Sequence, residues 1–290
     1  SVVVNVSALA GSISVGQPLL CHGDGNGSIM ANATGGVPPY QFSLNSSTFQ
    51  NGNVFAGLIT GTYTITIKDG VGTTTSNSIT LTDPPALVAS GMVVFNVVTI
   101  NAAGGTGALQ YSLNGVNFQV SGVFNGVANG SYTAVVRDNN GCTALVPVTV
   151  NVPPLTSEVV LTQPIACFGN TTGVLQIAGM GGIPPYTYSI NGGAYQNSNQ
   201  FSDLTANAFS VAIRDATGTV ITNTFTITEP AQLTVQAAAN QNNLTLTALG
   251  GTGPYTFSLN GNPLPGPSAS NLPNGTYAVV ATDKNGCTAT

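Results

Sequence analysis

The 290-residue sequence is 42% hydrophobic and only 4% charged, with a formal net charge of −5. Soluble proteins average roughly 25% charged residues, and disordered chains are usually charge-rich and apolar-poor, so disorder is excluded, and the acidic balance excludes a nucleic-acid footprint. No apolar run is long enough to cross a bilayer as a helix, and a surface of Asn, Ser, Thr and Gly repels its own copies weakly, which suits association.

The chain opens on Ser1 with no visible signal peptide, and reads as a processed or partial product whose export signal is gone. The run Ser1-Val2-Val3-Val4-Asn5-Val6-Ser7 stands before any repeat. One pattern then recurs four times, and such a period decides the architecture. It opens at Gly35-Gly36-Val37-Pro38-Pro39-Tyr40, Gly104-Gly105-Thr106-Gly107-Ala108-Leu109, Gly181-Gly182-Ile183-Pro184-Pro185-Tyr186 and Gly250-Gly251-Thr252-Gly253-Pro254-Tyr255, at intervals of 69, 77 and 69 residues. It closes at Tyr63…Lys68-Asp69, Tyr132…Arg137-Asp138, Phe209…Arg214-Asp215 and Tyr277…Asp283.

In the third copy Gly173–Ile177 and Tyr186–Ile190 alternate at period two, as strands B and C, with Gly-Gly and Pro-Pro as turn punctuation. The sixth strand starts at Tyr63, Tyr132, Phe209 and Tyr277, with Leu58, Val127, Leu204 and Leu272 five residues earlier. That resembles the E–F corner of fibronectin-type sandwiches, where a Tyr hydroxyl holds the turn. The last strand is Val146–Val152 or Thr222–Thr228, closed by Pro. The expected fold is all-β: four tandem Ig/fibronectin-like seven-strand β-sandwich repeats, joined by one or two prolines into a stiff rod. The expected divisions are 1–8 as an N-terminal donor strand, repeats at 9–85, 86–154 and 155–231, and an incomplete fourth at 232–290.

The motifs G-G-x-x-P-Y-x-Y-S-I-N, G-T-Y-T-I-T-I-K-D and D-x-N-G-C-T-A resemble the SprB-type repeat of surface adhesins in gliding Bacteroidota. The resemblance covers essentially the whole chain, although the second copy has Ala108-Leu109 where the family has Pro-Tyr. It implies an extracellular or cell-surface repeat protein. The task stays open, because such repeats serve as stalk, adhesin and filament.

The fourth copy has no final strand, and residues 1–7 look like an orphan one. An incomplete sandwich exposes core and unpaired edges. The expected resolution is donor-strand complementation, with Val2, Val3, Val4, Asn5 and Val6 of one molecule filling the groove beside Tyr277, Val279, Cys287 and Thr288 of the next. Head-to-tail contacts that do not close give a filament. The alternative is that these residues are one period of a longer continuous chain, the stalk of an adhesin.

Cys21 and Cys167 precede the Gly-Gly of odd copies, in the A–B loop, whereas Cys142 and Cys287 follow the F–G turn of even copies. Four cysteines and few lysines suit an oxidising, extracellular setting. With strands A and G running the same way, these loops lie at opposite ends of one domain, about 20–25 Å apart, too far to bridge. The leading loop of one domain meets the trailing turn of the next. Parity therefore predicts Cys21–Cys142 and Cys167–Cys287, with Cys142–Cys167 as the rival pairing and free buried thiols as the remaining alternative.

Chemistry is sparse. The single histidine, His22, sits in the Gly-rich turn Cys21-His22-Gly23-Asp24-Gly25-Asn26-Gly27 and reads as a loop residue, not the centre of a Ser-His-Asp triad. No zinc spacing is present, and Asp24 with Asn26, joined by Asp138 across the junction, is the one weak Ca2+ candidate. Lys68, Arg137, Arg214 and Lys284 sit beside an Asp after strand F, either as repeated junction contacts or as solvated turns. Sequons such as Asn129-Gly130-Ser131 are expected by chance in so Asn-rich a chain. Glycine runs lack a phosphate-loop Lys, and no carboxylate pair suits glycoside hydrolysis. The reading is a non-enzymatic, cofactor-free homopolymer subunit. The cell surface or glycans are further candidate partners, and neither nucleic acid nor membrane insertion is expected.

Overall fold

The computed structural model describes residues 6–290. The described residues form strands, turns and loops with no helix, and the chain divides into two compact units, residues 1–151 and 152–290.

In the first unit, β1 (Ala10–Gln17), β2 (Gly27–Thr34) and β4 (Val54–Leu58) make one sheet in the order β1-β2-β4, and β3 (Gln41–Leu44), β5 (Gly61–Lys68) and β6 (Thr74–Leu81) make the sheet β3-β5-β6. The pattern repeats with β7 (Val88–Val94), β8 (Val97–Ala103) and β10 (Val123–Phe124) as β10-β8-β7, and β9 (Gln110–Ser112), β11 (Gly130–Arg137) and β12 (Thr143–Val150) as β12-β11-β9. All ladders are antiparallel.

The second unit has the same plan. β13 (Thr156–Gln163), β14 (Gly173–Met180) and β16 (Gln200–Leu204) form one sheet, and β15 (Thr187–Ile190), β17 (Asn207–Arg214) and β18 (Val220–Ile227) its companion. β19 (Thr234–Asn240), β20 (Asn243–Leu249) and β23 (Ser268–Ala269) follow, paired with a sheet of β21 (Thr256–Leu259), β22 (Asn262–Leu264), β24 (Val279–Thr282) and β25 (Thr288–Ala289) in the order β22-β21-β24-β25.

Period-two alternation drives each pair of sheets together. In the first pair Ile29 and Ala31 of β2, Ile65 and Ile67 of β5 and Leu81 of β6 are buried around Phe42 and Leu58. Leu175, Ile177, Val211, Ile213 and Ile227 do the same in the third. The outer face of β5 and β6 is a ladder of hydroxyls: Thr62 with Thr80, Thr64 with Ser78 and Thr66 with Ser76, at 2.8–2.9 Å. Opposed hydroxyls of this kind stabilise a sheet without using charge.

The expected E–F corner is present. The Tyr63 hydroxyl donates to the Ile59 carbonyl at 3.0 Å, Tyr132 to Ala128 at 3.0 Å and Tyr277 to Pro273 at 2.8 Å. Phe209 takes the position in the third copy without a hydroxyl. The strand count differs from expectation, with six strands and not seven in each of the first three sheet pairs. Between β3 and β4 the chain turns through Asn45 and Ser46, both at positive φ, meets β3 at the bridge Phe42↔Gln50, and meets β2 at Asn53, whose carbonyl accepts from the Ala31 N–H at 2.9 Å. Tyr111↔Gln119 and Tyr188↔Gln196 mark the same place in the next two copies. In the fourth copy the same region, after Asn260 and Gly261 at positive φ, builds β22 alongside β21, so that pair has seven strands.

Candidate functional site: an aspartate clasp, two staples and an open strand edge

The repeated Asp after strand F does more than shape a turn. Asp69, Asp138, Asp215 and Asp283 are all buried. In each, Oδ2 accepts from a backbone N–H in the Gly-Gly loop: Val37 (3.1 Å), Thr106 (2.8 Å), Ile183 (3.1 Å) and Thr252 (2.8 Å). Oδ1 accepts from two N–H groups of the following turn: Val71 and Thr73, Asn140 and Cys142, Thr217 and Thr219, or Asn285 and Cys287. One carboxylate thus clasps two loops. Burial alone pushes the carboxyls of Asp69, Asp215 and Asp283 up, but these donors, with the Thr217 hydroxyl at Asp215, outweigh it and hold them below the ordinary 3.8.

The glycine pair fits against the clasp and against the incoming chain. The second glycine donates its N–H to Ser7, Pro85, Pro153 or Ala231, at 2.7–3.0 Å. The first has positive φ in every copy, and a Cβ there would collide with a backbone carbonyl: Ala8 at Gly35, Ala86 at Gly104, Pro154 at Gly181 and Gln232 at Gly250.

The structure joins Cys21 to Cys142 and Cys167 to Cys287, with Cα atoms 5.6 and 5.7 Å apart. Both bonds lie within a unit, and both are mounted on the clasp, since the second cysteine's N–H is one of its donors. Beside them Asn140 Nδ2 donates to the Leu20 carbonyl and Asn285 Nδ2 to the Ala166 carbonyl, each at 3.0 Å. A linker acid closes the same corner: Gly23 N–H donates to Asp83 Oδ2 and Gly169 N–H to Glu229 Oε2. His22 is exposed beside Asp83, with Nδ1 3.5 Å from Oδ2 and 3.2 Å from the Pro84 carbonyl.

Two sequence readings are corrected here. Asp24, Asn26 and Asp138 do not form a cation site. Asp138 is filled by its clasp donors, and Asp24 Oδ2 takes the Cys21 N–H and the Asn26 amide. Among the described residues no three His, Cys, Asp or Glu gather to hold a metal. Nor are three of the four cations junction contacts or simply solvated. Lys68 lies 4.3 Å from the Phe49 ring centroid, Arg137 4.1 Å from Phe118 and Arg214 4.2 Å from Tyr195. Each partner precedes its cation by 19 residues, a constant offset readable in the sequence. Lys284 follows its Asp instead of preceding it, and the fourth copy has Pro263 at the aromatic position.

The last sheet pair differs from the others at one edge. β5, β11 and β17 each pair along eight residues with the strand that follows, ending at Gly61↔Leu81, Gly130↔Val150 and Asn207↔Ile227. β24 pairs with β25 only at Ala281↔Ala289 and Thr282↔Thr288. Leu81, Val150 and Ile227 are buried at 1–2% exposure, and the fourth pair has no described residue in their place. Among the described residues its buried cluster is Leu246, Phe257 and Ala281, with Leu233 and Leu259 also buried, against nine clustered residues in each of the first and third. A cavity of about 140 Å³ lies at the end of this edge, and its lining includes Leu244, Leu272, Gly275 and Tyr277 beside the polar Gln241, Asn242, Asn243 and Asn274.

Of the residues expected to form the acceptor edge, Tyr277 and Val279 border the opening. Cys287 and Thr288 do not lie open, because the first is disulfide-bonded and the second pairs with Thr282. The expected donor residues Val2, Val3, Val4 and Asn5 lie outside the described residues, and Val6 is exposed.

Residues 10–49 and 160–195 match the SprB repeat. Both SprB segments begin in the first strand of their sheet pair and carry the long A–B loop with its cysteine and the Gly-Gly turn. No curated protein matches the sequence. Among solved structures, a tetra-tandem repeat from the extending region of a large adhesion protein is 15% identical, covering 97% of this chain and 98% of that one, with a TM-score of 0.28. Invasin, a bacterial integrin-binding protein, is 11% identical over 96% and 77% of the two chains, with a TM-score of 0.36. The Bacteroides ovatus glucan-utilisation protein SGBP-B, solved with a mixed-linkage heptasaccharide, is 13% identical over 94% and 92%, with a TM-score of 0.20. Each is a distant likeness.

Proposed function

We propose that this chain is a non-enzymatic structural subunit of an extracellular bacterial filament. It polymerises head to tail, with residues 2–6 of one copy completing the last sheet pair of the next. The observation that carries the reading is the open edge of β24 above a depleted core. An edge with unpaired N–H and C=O groups beside uncovered apolar side chains recruits an extended strand, and backbone pairing then supplies affinity while alternate side chains supply fit. The low charge and the two disulfides suit an extracellular polymer.

Electron microscopy and a denaturing gel of the native assembly test it. Filaments that dissolve into a ladder with a base near 29.1 kDa support separate subunits. The SprB match favours a second reading, a stalk segment of a long surface adhesin in which the same junction forms within one chain. A single very large band would establish that reading instead.

A further inference from the structure

The junctions inside the chain fix how far a completing strand stands from the repeat it leads into. That distance is counted from its buried anchor to the carbonyl that accepts from the second glycine of the next Gly-Gly pair. Leu81 precedes Pro85 by four residues and Ile227 precedes Ala231 by four, whereas Val150 precedes Pro153 by three. The spacing of four leads into the copies with a short A–B turn, and the spacing of three leads into the third copy, with its long cysteine-bearing A–B loop. The first copy has that same loop, and its accepting carbonyl is Ser7, at 2.8 Å from Gly36 N. Three residues before Ser7 stands Val4.

We propose that Val4 is the anchor of the donated strand, seated opposite Gly275 in the cavity between Leu244, Leu272 and Tyr277, with Val2 inward opposite Tyr277. The proposal rests on the strand-donation reading above and adds its register. The sequence repeats accordingly: Val2-Val3-Val4-Asn5-Val6 matches Val148-Thr149-Val150-Asn151-Val152, in which Val148 and Val150 are buried and Thr149 and Asn151 exposed.

The acceptor is built like the interior junction. The Leu272 N–H donates to the Asn242 carbonyl at 2.9 Å, as Val127 does to Asn96 in the copy that Val150 completes. Leu244 and Leu272 therefore hold the positions that Val98 and Val127 hold in the copy that Val150 completes. The cavity of about 140 Å³ is of a size for one aliphatic side chain. Shifting the register by one residue reverses every side chain, turning Val4 and Val2 to solvent and Val3 inward, so the two registers are sharply different states.

Cysteine pairs on the full chain read the register directly, because opposite residues of an antiparallel ladder have Cα atoms about 4.5–5.5 Å apart, within disulfide reach. Gly275 is away from the positive-φ region, and a Cβ there meets nothing closer than the Tyr277 ring at 3.9 Å, so Gly275→Cys is accommodated. Combined with Val4→Cys, it is expected to give a reducible ladder of covalent multimers under mild oxidation. Combined with Val3→Cys, the ladder is lost. A ladder from Val3→Cys and not Val4→Cys overturns the register but leaves strand donation standing. Equal ladders from both overturn a unique register. No ladder from either overturns both.

Discussion

The Cα atoms of Cys21 and Cys142 lie 5.6 Å apart although 121 residues separate them in the chain. The bond closes a loop spanning two sheet pairs, each too small to bury a large core of its own. Replacing both cysteines by Ser is expected to destabilise the first unit by about 2–4 kcal/mol. Calorimetry should show the transition of that unit lowered, while the transition of the unit holding Cys167–Cys287 stays in place until that pair is also replaced.

Acid should open the clasps. A carboxyl whose folded pKa lies below its unfolded value contributes stability that is complete above the unfolded value and lost as pH falls through the folded one. For Asp69, Asp215 and Asp283 the unfolded value is near 3.8, so the melting temperature should be level above about pH 5 and fall steadily below pH 4. Asp215→Asn keeps the shape and removes the charge. Its thermal melts should show a lower plateau at pH 7 and a smaller fall in acid than the parent chain.

The first glycine of each Gly-Gly pair admits no side chain. At Gly104 φ is +81° and a Cβ would overlap the Ala86 carbonyl oxygen, which belongs to backbone and cannot swing aside. Gly104→Ala should cost more than about 1 kcal/mol in urea unfolding, the reverse of the small gain that Gly→Ala gives at ordinary φ.

The corner tyrosines each contribute one hydrogen bond that Phe lacks. Tyr63→Phe leaves the ring and removes the donor to Ile59. A loss of about 0.5–1.5 kcal/mol is expected from chemical denaturation, since the freed carbonyl is near enough to water to be resolvated. Tyr132→Phe should give a similar loss in the second sheet pair, where the Ala128 carbonyl accepts.

Much of the fold was legible because it is carried by local chemistry. Gly-Gly and Pro-Pro mark turns, alternation marks strands, and Tyr63, Tyr132 and Tyr277 mark the corner. What escaped depends on contacts across the sheets. The six-strand count follows from a segment that meets β3 at the one bridge Phe42↔Gln50 and not along a ladder, which composition alone does not reveal. Asp69, Asp138, Asp215 and Asp283 read as turn residues, yet their second oxygen reaches a loop 31 or 32 residues earlier. Lys68 and Phe49 meet because the bridge Phe42↔Gln50 lays the segment holding Phe49 against β3, whose other neighbour is β5, and their constant offset was the available clue.

The paired hydroxyls outside β5 and β6 bear on the media such a protein tolerates. Attraction between exposed ions is damped by dissolved salt over about 10 Å at 0.1 M. Thr62 with Thr80 and Thr64 with Ser78 have no net charge to be damped. This face should therefore hold together alike in fresh water and in brine.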